Sequence, residues 1–351
     1  MQLLNKMQKR KVISSITIDN ISGVKQNYNE PAQLLCNQEW MQSSCLRCAN
    51  PRCITMQEGE IRCKTFENFV YERNGSVCPV DAISWNYATE LPEINNSVCI
   101  NCGLCAVRCP VGAIYSSKGK LYISEPTSNY VDLPINSSTI KRQQLLIKKM
   151  DDFNWQRHFQ QENDKLIERL YAHISRFDGR SMAANVLVRN LMIVLSHECA
   201  ISRMGDVYTR MDAVYSNKST PNYNGVIEIE LGRDTLEASR GILDDIAVMH
   251  AQENLNKDDN VAIVVCLSFP NRRQGYFQVI KDINKVLGLK IQTLSIGALL
   301  ILAWNGIQVD FSSKCFYVDF DNLSIRLEIE RAIGREIHLS DGLLGVLEPE
   351  K

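Results

Sequence analysis

The stretch Cys99-Ile-Asn-Cys102-Gly-Leu-Cys105-Ala-Val-Arg-Cys109-Pro110 has the spacing C-x2-C-x2-C-x3-C-P. Thiols placed this tightly let one short loop wrap three corners of a cubane iron-sulfur cluster, while the fourth, followed by proline, reaches away to a second cluster. A looser copy lies upstream as Cys45-x2-Cys48-x4-Cys53, and Cys78-Pro79 follows after 24 intervening residues. The repeat runs past the thiols, since Cys78-Pro79-Val80-Asp81-Ala82-Ile83 parallels Cys109-Pro110-Val111-Gly112-Ala113-Ile114. A zinc site built from the same thiolates is the competing reading; the appended Cys-Pro-Val-Gly-Ala-Ile belongs to the iron-sulfur pattern instead.

Around that stretch the chain is ordinary. Its 351 residues suggest two domains, and 45% apolar with 23% charged residues excludes collagen-like, coiled-coil and wholly disordered chains. A formal charge of -1 and a pI near 6.5 give no global basic field, so nucleic-acid binding would need a local basic face. Thirteen cysteines are the departure, ten of them before residue 110. Lys6, Lys9, Arg10 and Lys11 are followed by no apolar run of signal-peptide length, and Ile296 to Trp304 falls far short of the roughly 20 residues of a membrane helix. The expectation is a cytoplasmic protein with no membrane contact, where clustered cysteines are metal ligands and not disulfides. Cys36, Cys63, Cys199, Cys266 and Cys315 fall outside the repeat and read as packing residues.

Composition divides the chain into a basic N-terminal arm (1–30), a cysteine-rich domain (31–130), a linker with connecting helices (131–180) and a final domain (181–351). The linker text ISEPTSNYVDLPINSS ends at Ser138, and Ile140 to Phe177 reads as helix. Beyond it the periodicity predicts a helix over Met182–Ile201, strands over Asp206–Tyr215 and Gly225–Leu231, and a helix over Thr235–Gln252. A buried strand over Asn260–Phe269, a helix over Gly275–Leu287 and a strand over Leu289–Ser295 follow. A strand pair, a crossover helix and further strands imply an α/β domain with a mixed sheet flanked by helices.

That last domain carries an oxygen-ligand signal. In Val226-Ile-Glu228-Ile-Glu230-Leu231 the period of two places Glu228 and Glu230 together on one face. Such carboxylates repel unless a cation or proton compensates. Asp212 lies on the preceding strand, where antiparallel pairing brings it next to Glu228. Glu198 is expected on the apolar stripe of Leu187, Leu191 and Leu195, facing the strand acids. The bland alternative is a half-exposed strand face whose acids pair with Arg or Lys. No histidine forms a metal-spaced pair, and there is no Walker or G-x-G-x-x-G loop.

The cysteine text resembles two-cluster bacterial ferredoxins over about 80 residues, which implies an α+β ferredoxin-like domain. Carried over, one [4Fe-4S] cluster is held by Cys45, Cys48, Cys53 and Cys109, the other by Cys99, Cys102, Cys105 and Cys78. The helix, strand, strand with Glu228-x-Glu230, helix, apolar strand order resembles the PD-(D/E)XK, restriction-endonuclease-like superfamily over about 120 residues. That resemblance implies Mg²⁺ (or Mn²⁺) on Asp212, Glu228 and the carbonyl of Ile229, and hydrolysis of nucleic-acid phosphodiesters, DNA favoured, of restriction or phage-defence type. Glu230 stands where Lys is usual and Met211 where Pro is frequent, so the base role passes to Glu230 or metal-bound hydroxide. Arg210, Arg233, Arg240, Arg272 and Arg273 would meet the phosphate backbone. Double-strand cleavage implies a homodimer or a partner-protein complex. Two other readings stand beside it: an electron-transfer ferredoxin with a docking domain, and an inactive nuclease fold that binds nucleic acid.

Overall fold

Each Cys-Pro of the sequence repeat leads, five residues after its cysteine, into a β-hairpin. After Cys78, β1 (Ile83–Asn86) pairs antiparallel with β2 (Leu91–Ile94), Ile83 opposite Ile94. After Cys109, β3 (Ile114–Ser117) pairs with β4 (Lys120–Ile123), Ile114 opposite Ile123. The loop between the hairpins contains one helical turn, Leu104–Val107. Asn101 (φ 59°) and Gly103 (φ 71°) take left-handed backbone there, turning the chain on either side of Cys102; asparagine and glycine tolerate this best. Leu104, Ala106, Ala113, Ile114 and Leu121 form the buried core of this part. The computed structural model describes residues 45, 51–109, 113–117, 119–123, 163–174, 182–206, 211–217, 223–232, 235–253, 260–270, 275–309, 311, 325–340 and 344. The basic arm, Cys36, Cys48, Cys315, Arg210, Arg233, Arg272 and Arg273 lie outside them, as does the linker text beyond Ile123.

The chain forms two compact units, residues 1–55 with 80–162, and residues 56–79 with 163–351. This differs from the linear division expected from composition. The 24 residues between Cys53 and Cys78 do not decorate the cysteine-rich domain; nearly all of them belong to the other unit, as does the helix of the supposed linker.

In that second unit, α1 (Asn163–Ile174) and α2 (Ala183–Val194) precede a five-stranded sheet in the order β5 (His197–Ile201), β6 (Ala213–Asn217), β7 (Asn224–Glu230), β8 (Ala262–Cys266), β9 (Ile291–Ser295). β5, β6 and β7 are antiparallel, whereas β7, β8 and β9 are parallel, which makes the sheet mixed. α3 (Ala238–Glu253) and α4 (Tyr276–Leu287) are the crossovers that parallel strands require. β8 reads Ala-Ile-Val-Val-Cys and is wholly buried, as a parallel strand covered on both faces should be. α5 (Ile296–Trp304) is apolar all round and buried all round, capped by Ser295 Oγ accepting from Ala298 N at 3.0 Å. α6 (Ile325–Ile333) follows. Among the described residues no helix is long and apolar enough to cross a membrane.

The helix expected over Met182–Ile201 is two elements. α2 stops at Val194, Ser196 turns the chain at φ 74°, and His197 opens β5. Residues 56–79 then cover the free edge of β5. Tyr71 bridges Ser202 antiparallel, Glu72 N donates to Ile201 O at 2.9 Å, and Arg203 N donates to Val70 O at 3.3 Å. Covering an edge strand this way removes a template for aggregation.

Candidate metal centres

Cys45, Cys53 and Cys109 line one small apolar cavity with Pro51, Trp85, Pro92, Ala113, Ile114 and Ile123. They are three of the four thiols that the ferredoxin resemblance assigns to one cluster, and the fourth, Cys48, lies outside the described residues. Arg108 Nε donates to the carbonyl of Arg52 at 3.0 Å, tying the two halves of the repeat together beside these thiols. Ala113 N donates to Cys109 Sγ at 3.3 Å, and Asn101 N donates to Cys99 Sγ at 3.4 Å. Amide donors aimed at cysteine sulfur in a buried, apolar setting suit thiolates that carry cluster charge. Cys102 and Cys105 are buried, and Cys99 is half-buried. This donor set fits a [4Fe-4S] cluster.

Cys63, Cys199 and Cys266 differ in kind. Each is at most 1% exposed. Burial, and then the charge of Glu198, push the Cys63 thiol up to about 12, while burial raises Cys199 and Cys266 further. Such thiols stay protonated and act as small apolar side chains.

The carboxylate site is built where β6 begins and β7 ends. Ala213 pairs with Ile227, so Asp212, one step earlier, stands across from Glu228 as the strand order requires. Asp212 Oδ2 accepts from Ile229 N at 2.8 Å, and its Oδ1 accepts from Asn185 Nδ2 of α2 at 3.3 Å. Burial raises the Asp212 pKa, these two donors pull it back, and Glu230 raises it again. Burial also pushes Glu228 up to about 8, helped by the charges of Asp212 and Asp245 and a hydrogen bond with Asp245. Glu230 Oε1 turns back to accept from Gly232 N at 2.6 Å.

Asp245 was absent from the sequence expectations. It is 4% exposed on α3, on the stripe of Ile242, Ile246 and Met249, and that spacing was the signal available for finding it. Gly241, one turn earlier, leaves room for Glu228: a Cβ there would come within 3.3 Å of its Oε1.

Glu198 does not join these acids. It lies on β5 and not on a helix, accepts from Lys64 N at 3.0 Å, and has Lys64 Nζ at 3.8 Å. The β5-side partner of Asp212 is Ser202, whose N donates to Asp212 O at 2.9 Å. Glu198 is four residues further along, about 13 Å at the usual strand rise. The helix residue that reaches Asp212 is Asn185. Arg240 pairs with Glu237 at 2.8 Å on the exposed start of α3.

The acids fit a hard divalent cation chemically. Among the described residues no three His, Cys, Asp or Glu side chains converge on a single-ion point. An ion here would therefore rest on two carboxylates, Asp212 and Glu228, completed by a carbonyl and water, which is how Mg²⁺ is usually held. The carbonyl of Ile229 would be the one available, on the edge where its N–H meets Asp212, since both groups of a strand residue face the same neighbour.

A buried charge lies one turn along α2 from Asn185. Arg189 is 0% exposed, and its guanidinium donates to Asn74 O at 2.8 Å, Ser76 O at 3.5 Å and Asn190 Oδ1 at 3.0 Å. Asn190 Nδ2 donates to the carbonyls of Ser76 and Val77, both at 2.9 Å. Burial lowers the Arg189 pKa to about 10, which leaves it charged at neutral pH.

The cysteine-lined apolar cavity and the paired hairpins suit an iron-sulfur-binding region, and a mixed sheet flanked by helices forms the other unit. Comparison with known proteins agrees on the first part: residues 92–115 match the 4Fe-4S binding domain family. An uncharacterised ferredoxin of Methanocaldococcus jannaschii is 48% identical over 40 residues, 11% of this chain and 24% of that protein. Hydrogenase-4 component A of Escherichia coli is 54% identical over 41 residues, 12% of this chain and 19% of that protein. The chain thus spans a quarter or less of the length of either relative. Among solved structures, restriction endonuclease FokI gives a slight likeness, with 13% identity, a TM-score of 0.29, 56% of this chain and 35% of that one.

Proposed function

We propose that the chain is an iron-sulfur nuclease: two [4Fe-4S] clusters in a structural or redox-sensing role, and a second unit that hydrolyses nucleic-acid phosphodiesters, DNA favoured. The observation that carries the reading is the juxtaposition of Asp212 and Glu228 at the β6–β7 register, with Glu230 two residues on. Burial first, and then the neighbouring carboxylates, push the Glu228 pKa up to about 8, which keeps it mostly protonated at neutral pH, and a divalent cation would relieve the repulsion. Bound there, the cation supplies Lewis acidity and a water of lowered pKa. The chain's own residues do the rest. Asp212 and Glu228 hold the cation, Asn185 and Ile229 N orient Asp212, and Gly241 admits the Glu228 carboxylate against α3. Glu230, at the open end of β7, takes the proton from the attacking water.

The clusters would use Cys45, Cys48, Cys53 and Cys109, and Cys99, Cys102, Cys105 and Cys78; the hairpin repeat and the cavity shared by Cys45, Cys53 and Cys109 support this. Double-strand cleavage would call for two copies of the chain. The ferredoxin relative favours a second reading, in which the clusters pass electrons to a partner protein and the sheet unit docks it.

The test is to incubate anaerobically purified protein with plasmid, oligonucleotide and RNA plus Mg²⁺ or Mn²⁺. Cleavage should fall to background in Asp212→Ala and Glu228→Ala. Activity that survives both substitutions overturns the site. An intact protein that cuts nothing but reduces an acceptor protein supports electron transfer.

A further inference from the structure

The segment running into Cys78 is fastened to the acid site along two separate routes. Locally it is stiff: Asn74 N donates to Glu72 Oε1 at 2.9 Å, Ser76 N to Asn74 Oδ1 at 2.9 Å, and Ser76 Oγ to Cys78 O at 2.9 Å. On the first route, Arg189 and Asn190 of α2 grip the carbonyls of Asn74, Ser76 and Val77. Asn185 is four residues before Arg189, hence on the same helix face one turn away, and it holds Asp212 Oδ1. On the second route, Glu72 N bonds Ile201 O of β5, and the next residue, Ser202, donates its N–H to Asp212 O. Side chain and main chain of Asp212 are therefore both tied, within two or three bonds, to the six residues before Cys78.

We propose that α2 positions both sites at once: Arg189 and Asn190 set the Cys78 approach, Asn185 sets Asp212, and ligation of a cluster by Cys78 thereby tunes the cation affinity of Asp212 and Glu228. This rests on the reading of Cys78 as a cluster ligand and of the acids as a cation site. The clamp is a rigid one, because Arg189 is wholly buried and cannot leave its carbonyl partners for water. A shift at residues 74–77 must be followed by α2 and by the end of β5. Both then act on Asp212, whose hydrogen bond to Ile229 N aligns it with β7.

The experiment titrates Mn²⁺ alone into anaerobically purified full-length protein and follows the bound ion by electron paramagnetic resonance, with iron content measured in parallel. Wild type should bind Mn²⁺, and Asp212→Ala should lose it. Cys78→Ser should lose iron and weaken Mn²⁺ binding roughly tenfold, within the usual range of coupling between sites. Asn185→Ala should weaken Mn²⁺ with iron unchanged, and the double variant should be weaker than Asn185→Ala by less than Cys78→Ser costs alone, since Asn185 lies on one of the two routes. Mn²⁺ affinity within twofold of wild type in an iron-depleted Cys78→Ser protein overturns the coupling, as does a double variant whose losses multiply. If wild type binds no Mn²⁺ that Asp212→Ala removes, the cation reading falls and the coupling with it. If Cys78→Ser keeps its full iron, Cys78 is not a ligand and the coupling is equally overturned. Should Cys78→Ser fail to fold, Asn190→Ala, which severs the bonds to Ser76 and Val77 together with the Arg189 Nε bond, carries the same expectation for Mn²⁺ affinity.

Discussion

Burial and the carboxylates of Asp212 and Asp245 lift Glu228 from an ordinary value of 4.5 to about 8. Between those two values the folded chain binds a proton that the unfolded chain has released, so stability falls as pH rises through that window. The contribution is fully present below about pH 4.5 and gone above about pH 8. Glu228→Gln, which cannot ionise, should flatten this dependence and melt higher than wild type at pH 8 without added metal, by at least about 2 °C for a domain of this size. Saturating Mg²⁺ should narrow the gap from the other side by stabilising wild type alone. A metal-free melting profile that climbs from pH 5 to pH 8 in wild type would falsify the account. Asp245→Asn should act in the same direction, removing a like charge from Glu228. The sequence made Asp212, Glu228 and Glu230 legible because strand alternation and hairpin order are local patterns. It misplaced Glu198 because the apolar period runs on past Ser196, whose left-handed turn no periodicity reveals. The helix stripe that does bury an acid beside Glu228 is that of Asp245.

At the scale of elements, the sheet closes around a point that tolerates no side chain. A Cβ on Gly225 would stand 2.2 Å from Val261 O, on the backbone that bonds Asn224 as β7 enters beside β8. The clash is with main chain, so nothing flexible can yield. Gly225→Ala should cost about 1–3 kcal/mol, as overpacked cores do, and denaturant melts should show the loss as a lower midpoint. Gly241→Ala is the contrast, since its neighbour is the end of the Glu228 side chain at 3.3 Å. That change should leave stability nearly intact and weaken cation binding instead. Strands β7, β8 and β9 and helices α3 and α4 were readable from apolar runs and period, each within a few residues of its observed bounds. β5 was not, because His197-Glu-Cys-Ala-Ile continues an apolar helix with no Gly or Pro to mark the change.

For the molecule as a whole, sulfur chemistry sets one expectation: anaerobically purified chain should carry about eight iron atoms if both cubanes assemble, and about four if one of the two is missing. The cysteine spacing was legible because a cluster loop is short and its ligands are local. The membership of residues 56–79 was not, since nothing in a sequence says which distant sheet an inserted segment will edge. Their place in the fold predicts the fate of a truncation. A fragment starting at Asn163 keeps all five strands of the sheet but loses the pairing of Tyr71 with Ser202, the Lys64 partner of Glu198, and the carbonyls that satisfy Arg189 and Asn190. It also exposes the apolar surface that Met56, Ile61, Phe66 and Val77 now help to cover. Each unmade bond to a buried polar group costs about 1–3 kcal/mol, more where the group is charged, so several together approach the whole stability of a domain. The 163–351 fragment should be insoluble or lack a cooperative melt, and fusing residues 56–79 to it through a flexible linker should restore both. A bare fragment that melts cooperatively within a few degrees of the fused one would mean that these residues merely lie on the sheet and do not complete it.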